Sequence, residues 1–285
     1  MAVPKKKDPK PAEGTAIQIL EIDQGELEFH IVGRTPLVMN RMSEKAKRQI
    51  LLPDPKKTQT QRESTLKHDP FAEFRASPYV LRDDAAPTLL AVLGAAFKRA
   101  IAAAAIDLGG KKAQIGRLCM VPEFYVPVYG IPQIYSAVVR QGDMARTPDI
   151  RTRAILPRWA CTVHVQFVQP IVKPQMVANL LAGAGLFIGA GDGRPEKGAL
   201  TFGQFRLAKA EDEEFRYLLR EGGREAQLAA MRDPVAYDDE TSDLLTWFVG
   251  AARKRSFKFD APASLGNGET PALDEHQTWA EPALE

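Results

Sequence analysis

Residues 183–205 read GAGLFIGAGDGRPEKGALTFGQF, with seven glycines (Gly183, Gly185, Gly189, Gly191, Gly193, Gly198 and Gly203) inside 21 positions. Glycine adopts positive φ without a Cβ penalty and lets a backbone come close to another chain, so such a segment can turn N–H groups toward an anion. It is not a Walker loop, because no GK[ST] triplet closes it. Nor is it the dinucleotide fingerprint, which needs a strand before it and a helix after it. Here the order is reversed. KPQMVANLLAGAGLF (173–187) comes first, with Pro174 suited to a first helical turn and Met176, Val177, Leu180 and Leu181 in one stripe. LTFGQFRL (200–207) follows as a strand.

Upstream, WACTVHVQFV (159–168) places Cys161, Val163, Val165 and Phe167 on one face, and ELEFHIVG (26–33) alternates Leu27, Phe29 and Ile31 with Glu28, His30 and Val32. A period of two marks strands with one buried face. TLLAVLGAAFKRAIAAAAI (88–106) has Leu89, Val92, Leu93, Ala96, Phe97, Ala100 and Ile101 at helical spacing, so a helix is expected there, capped by Thr88, with Lys98 and Arg99 on its polar face. RLCMVPEF (117–124) and IPQIYSAVV (131–139) suggest a strand pair limited by Pro122, Pro127 and Pro132. The expected class is therefore α+β: a ferredoxin-like (RRM-like) βαββαβ core with large insertions and a helical C-terminal extension. In that plan two helices cover one sheet face and the other stays open.

The predicted organisation is a disordered basic arm at 1–14, a core over 15–207 with insertions at 34–80 and 129–157, helices over 208–260 and an acidic tail at 261–285. Of 285 residues, 45% are hydrophobic and 26% charged, which is ordinary globular composition. The absence of an 18-residue apolar run excludes a membrane span, and the Lys/Pro-rich start excludes a secretory signal, so a cytoplasmic protein is expected. Cys119 and Cys161 are too few for a disulfide framework or a four-cysteine zinc site. No cofactor or metal is expected. Residues 1–207 hold 29 Lys and Arg against 19 Asp and Glu, whereas 208–285 hold 9 against 17. A basic body with an acidic tail points to a polyanionic partner, or to a tail that shields the body.

The core plan, with a glycine-rich loop between its second helix and last strand, resembles the RAMP superfamily, the RNA-binding backbone and processing proteins of CRISPR effector complexes. TPLVMN after the first strand, LLAVLGAAFKRAI, DIRTRAILPRW before the third strand and IGAGDGRPEKGALTFGQF carry the likeness, over about residues 20–207. The pattern AG-x-x-IG-x-x-x-x-RPEKG closed by G-x-F also resembles a group of phage and prophage proteins. The resemblance implies single-stranded nucleic acid as partner, RNA before DNA, and self-association along the strand. It also implies a catalytic histidine in the processing nucleases, which makes His30 a minor candidate, and an aspartate in the first insertion of some backbone subunits, which makes Asp54 another.

Arginine and lysine on excursions can follow a phosphate backbone through counterion release. The candidate contacts are Arg34, Arg41, Lys45, Lys47 and Arg48 in the first insertion, Lys98 and Arg99 on the helix, Arg146, Arg151, Arg153 and Arg158 before the third strand, and Gly189, Gly191, Gly193, Arg194 and Lys197 in the glycine loop. Phe71, Phe74, Tyr79 and Tyr135 are candidates for base stacking, and Trp159 is expected in the core. His68 and His276 show no ligand spacing, and no Ser-His-Asp spacing, nucleophile elbow or HExxH motif occurs. The leading expectation is a non-catalytic nucleic-acid-binding subunit. The alternatives are a phage assembly or interaction protein with an acidic partner, and a metal-independent endoribonuclease.

Overall fold

A computed structural model describes residues 20–52, 66–140, 147–198, 200–260 and 262. In chain order the first half holds β1 (Asp23–Gly33), β2 (Leu37–Val38), α1 (Glu44–Leu51), α2 (Pro70–Ala76), β3 (Tyr79–Val80), β4 (Leu90–Leu93), α3 (Gly94–Asp107), α4 (Lys112–Leu118), β5 (Cys119–Met120) and β6 (Tyr125–Tyr129). The second half holds β7 (Gln133–Arg140), β8 (Pro148–Leu156), β9 (Ala160–Gln169), α5 (Pro174–Gly183), β10 (Phe205–Ala208), α6 (Glu213–Glu221), α7 (Arg224–Arg232) and α8 (Asp239–Lys254). The architecture is mixed α+β, and no described helix is long and apolar enough to cross a membrane. The basic arm at 1–14 lies outside the described residues, as does the tail apart from Pro262.

The alternating strand β9 is the centre of the larger sheet. It pairs β1 antiparallel over ten positions, from Asp23↔Gln169 to Val32↔Ala160. Its other edge takes β5 (Cys119↔Phe167) and β6 (Val128↔Cys161). The seven strands run β10-β1-β9-β6-β4-β3, with β5 beside β9. Cys161, Val163, Val165 and Phe167 are all buried, as their spacing predicts. Over this face α3 packs on α5, contributing Phe97, Ile101 and Ala104 against Val177, Leu180 and Leu181. Of these, each larger side chain (Phe97, Ile101, Val177, Leu180, Leu181) contributes about 1.5–3 kcal/mol when fully buried. Trp159 is fully buried, its indole N–H donating to the Thr35 carbonyl at 2.9 Å. A smaller sheet, β2-β8-β7, is built from Leu37↔Leu156 and the long β7–β8 pairing.

Several expectations are corrected. The predicted helix 88–106 begins only at Gly94, because Leu90–Leu93 is strand β4, held between β3 and β6. Thr88 does not cap it; its hydroxyl donates to the Leu90 carbonyl. The run Leu89 to Val92 is buried throughout, so helix and strand periodicity cannot be told apart there. The proposed pair 117–124 with 131–139 does not form: Cys119–Met120 pairs β9 and β7 pairs β8. Both insertions hold ordered structure. Phe71 and Phe74 are core residues on α2, which Asp69 caps, and Pro148–Leu156 is strand β8. The last strand is only Phe205–Ala208.

The C-terminal helices are built into the same core. Gly222 interrupts the charged stretch between α6 and α7, and the Gly130 N–H donates to its carbonyl at 2.9 Å. Phe215 and Leu218 of α6 pack on Val32 and Ala160, and the His30 ring stacks on Phe215 with centroids 4.6 Å apart. The second sheet face is therefore covered at this end rather than open. Leu245, Val249 and Ala252 of α8 are buried, and Phe248 meets Phe71 and Phe259.

Candidate functional site

The glycine-rich segment leaves α5 through a π-helical turn (Ala184–Ile188) and returns past a short 3₁₀ turn (Pro195–Lys197) to β10. Its glycines answer a packing demand. Gly191 has φ +75°, and a Cβ there would sit 2.6 Å from the Val38 carbonyl oxygen. At Gly203, φ is +73° and a Cβ would fall 1.7 Å from the Ala190 carbonyl oxygen. The amides of Ala190, Asp192 and Gly203 donate to the carbonyls of Gly203, Val38 and Pro36 at 2.7–3.0 Å. Three of the loop's N–H groups are thus spent on fixing it to β2 and to its own return.

That attachment shapes a cleft of about 260 Å³ between the loop, β2 and the start of α3. Val38, Met39, Val92, Ala96 and Ile188 give it an apolar floor, Tyr79 lines one side, and Arg99 and Arg194 stand with Asp192 and Glu196 in its wall. Arg194 donates to the Gly191 carbonyl at 3.0 Å and to Glu196 at 3.1 Å, which fixes its guanidinium. A second hollow of about 430 Å³ adjoins the first through the shared Asn40, and Arg41, Arg151 and Arg153 line it with Glu73. Arg153 and Asp192 form an ion pair that ties β8 to the glycine loop. Arg41 pairs with Glu44, and Arg151 with Asp149 at 3.2 Å. The hydrogen bond from Lys47, helped by its charge, holds the Glu44 carboxyl below the usual range.

Arg41, Arg99, Arg151, Arg153, Gly189, Gly191 and Arg194 are therefore brought to two joined hollows from four separate stretches of chain. Gly193 continues the loop against Phe202, and Lys197 is exposed on its 3₁₀ turn. Lys47 and Arg48 lie on α1 beside the second hollow's Ala46, and Lys45 belongs to the same helix. Arg34 is exposed at the end of β1, and Lys98 lies one residue round α3 from Arg99, outside the cleft lining. Arg158 is placed apart, in a hollow beside α6, where it pairs with Glu214 at 3.2 Å and lies 5.0 Å over the Tyr217 ring. Arg146 and Asp54 fall outside the described residues. Phe71 and Phe74 are fully buried, so they cannot stack on bases as they stand, and Tyr135 is held edge-on by Phe202 and Tyr237.

The histidines make two clusters: strand alternation puts His30 and His164 on one sheet face, whereas spacing does not reveal the partners of His68. On the larger sheet Glu28 lies between His164 (3.1 Å) and His30 (3.5 Å), and His164 also meets Glu123. Partial burial opposes the His164 imidazolium, but hydrogen bonds and charge from Glu123 and Glu28 outweigh it and raise its pKa. His68 is held between Glu73 (2.6 Å) and the buried Asp149 (2.9 Å), partners 5 and 81 residues away. Among the described residues no group of three His, Cys, Asp or Glu side chains is arranged to hold a metal ion. Burial pushes the Cys119 thiol up to about 11 and the Cys161 thiol higher still, which leaves neither as a ready nucleophile. No family model matches the chain, and no curated protein matches it.

Proposed function

We propose that this protein binds single-stranded nucleic acid, RNA in preference to DNA, along the two joined hollows, as a non-catalytic subunit repeated along the strand. The observation that carries the reading is the convergence of Arg41, Arg99, Arg151, Arg153 and Arg194 on two hollows that share Asn40 in their linings. Each guanidinium has five donors, so one engaged by a carboxylate retains others for a phosphate. The apolar floor and Tyr79 supply contacts to a base, while the arginines follow the backbone without reading sequence. The order β10-β1-β9-β6, with α3 and α5 on one face, supports a ferredoxin-like core. The loop between α5 and β10 supports a RAMP-like placement of the strand.

Labelled single-stranded RNA of mixed and homopolymeric sequence, titrated across NaCl concentrations by fluorescence anisotropy, tests it. Removing one phosphate-bound cation flattens the slope of log K against log[salt] by about 0.7, so R99A/R194A should flatten it by about 1.4 with sequence preference unchanged. R158A should leave affinity and slope as they are. Equal binding and slope in R99A/R194A, with the fold intact, would remove the cleft from the binding surface. Tighter binding of polyglutamate than of RNA would favour an acidic protein partner.

A further inference from the structure

A third hollow runs along α8. Leu244, Trp247, Phe248 and Ala251 face Pro70 and Ile150 across it. Trp247 is 59% exposed although the other described tryptophan, Trp159, is fully buried. Lys67, His68 and Arg255 also line this hollow, and none of its lining residues is a carboxylate. Lys67 reaches Asp149 at 3.3 Å, but that carboxylate is already shared with His68 and Arg151.

The described chain ends beside this hollow. Phe259 lies edge-on to Phe248 at 5.3 Å, and Asp260 takes the Arg75 guanidinium at 2.8 Å. Beyond Pro262 come 23 residues, ASLGNGETPALDEHQTWAEPALE, with five carboxylates, no Lys or Arg, and Trp279. The stretch from Pro262 to Trp279 reaches roughly 55–60 Å when extended, far more than a return to α8 requires. A tether of this kind holds its end at an effective concentration in roughly the millimolar range. We infer that the chain's own C-terminal segment, residues 273–285, docks in this hollow, with Trp279 against Leu244 and Trp247 and its carboxylates beside Lys67 and Arg255. Apolar contact and opposite charge act together there, and an aromatic side chain seated in an apolar groove beside basic residues is a recurrent anchor. The inference is independent of what occupies the arginine-lined cleft.

The test uses the full chain carrying W247F, in which only Trp159 and Trp279 emit. Acrylamide should quench Trp279 severalfold less than it quenches a free peptide of residues 263–285, and its emission should be shifted to the blue. Adding A251E, which places a like charge in the hollow, should restore quenching to the level of the peptide. An excess of the same peptide carrying W279F should do so without any change to the folded part. Docking is overturned if Trp279 in the W247F chain is quenched as freely as in the peptide, or if its protection survives both A251E and the competitor. Protection that grows with protein concentration would overturn the intramolecular form, because it assigns the hollow to the tail of a second copy.

Discussion

Replacing Gln227 with leucine should destabilise the whole protein more than any surface change. Gln227 is fully buried on α7. Its Oε1 accepts from the Leu89 and Leu90 amides at 2.8 and 3.0 Å, and its Nε2 donates to the carbonyls of Val128, Gly130 and Gly222 at 2.8–3.1 Å. One side chain thus joins β4, β6 and the α6–α7 turn. Leucine matches its bulk but offers no acceptor, and each buried amide left bare costs about 1–3 kcal/mol, so the two together cost roughly 2–6 kcal/mol. Domain stabilities are about 5–15 kcal/mol, so this is a large fraction of the total. Glutamate keeps the acceptor but turns a carboxylate toward three carbonyls, so Q227E should be at least as harmful at neutral pH and partly relieved in acid. Urea unfolding followed by tryptophan fluorescence and circular dichroism reads the effect as a lower midpoint at unchanged slope. A Q227L midpoint within about 0.5 kcal/mol of the parent would refute the role given to these bonds.

Three further perturbations follow. The raised His164 pKa means that its pairing with Glu123 and Glu28 stabilises fully below the ordinary histidine value of 6.5 and fades as pH rises through the folded value; H164Q should flatten the melting temperature over pH 6–8, and an unchanged profile would deny the pairing. Asp212 caps α6 through the Phe215 amide, and the Arg206 hydrogen bond, then that amide, holds its carboxyl at about 2; its contribution is present above 3.8 and lost as pH falls through 2, and D212A should cost about 1 kcal/mol at pH 7, read from chemical denaturation. G191V puts a β-branched residue at φ +75° against the Val38 carbonyl and should cost at least about 1–3 kcal/mol, so any loss of nucleic-acid binding must be accompanied by a lower melting temperature.

Elements whose periodicity is local were legible. The alternation in β1 and β9, the Pro174 start of α5 and the burial of Trp159 follow from single-chain patterns of period two or 3.6. The β4–α3 boundary was not legible, because the need for glycine there comes from a distant backbone: a Cβ at Gly94 would meet the Glu123 carbonyl oxygen at 2.0 Å. The second sheet hid for a different reason. In β8 the buried positions include Asp149 and Thr152, which lie on opposite faces of the strand and look like surface residues until their partners are known. Asp149 tolerates burial because Lys67 and Arg151 pair with it and His68 hydrogen-bonds to it, and Thr152 because Ser136 shares its hydroxyl hydrogen bond at 2.9 Å. None of these partners is determined by local spacing.

The glycine loop shows what such a reading can mistake. A glycine that frees backbone for a ligand and a glycine that lets two segments of one chain touch have the same sequence signature. Here Gly191 and Gly203 are consumed by contacts with Val38 and Ala190, and the amides nearby follow them. What the loop presents outward is instead Arg194, held in place by Gly191 and Glu196, opposite Arg99 on the first turns of α3. On the proposed function, recognition at this cleft would therefore rest on side-chain charge. A backbone cradle would bind an anion with affinity that survives loss of single side chains, whereas two positioned guanidiniums make the salt slope fall in steps as each is removed. The R99A and R194A single variants and their double should accordingly lower the slope by about 0.7, 0.7 and 1.4. A slope unmoved by either arginine, with affinity lost only when the loop itself is distorted, would return the anion site to the backbone.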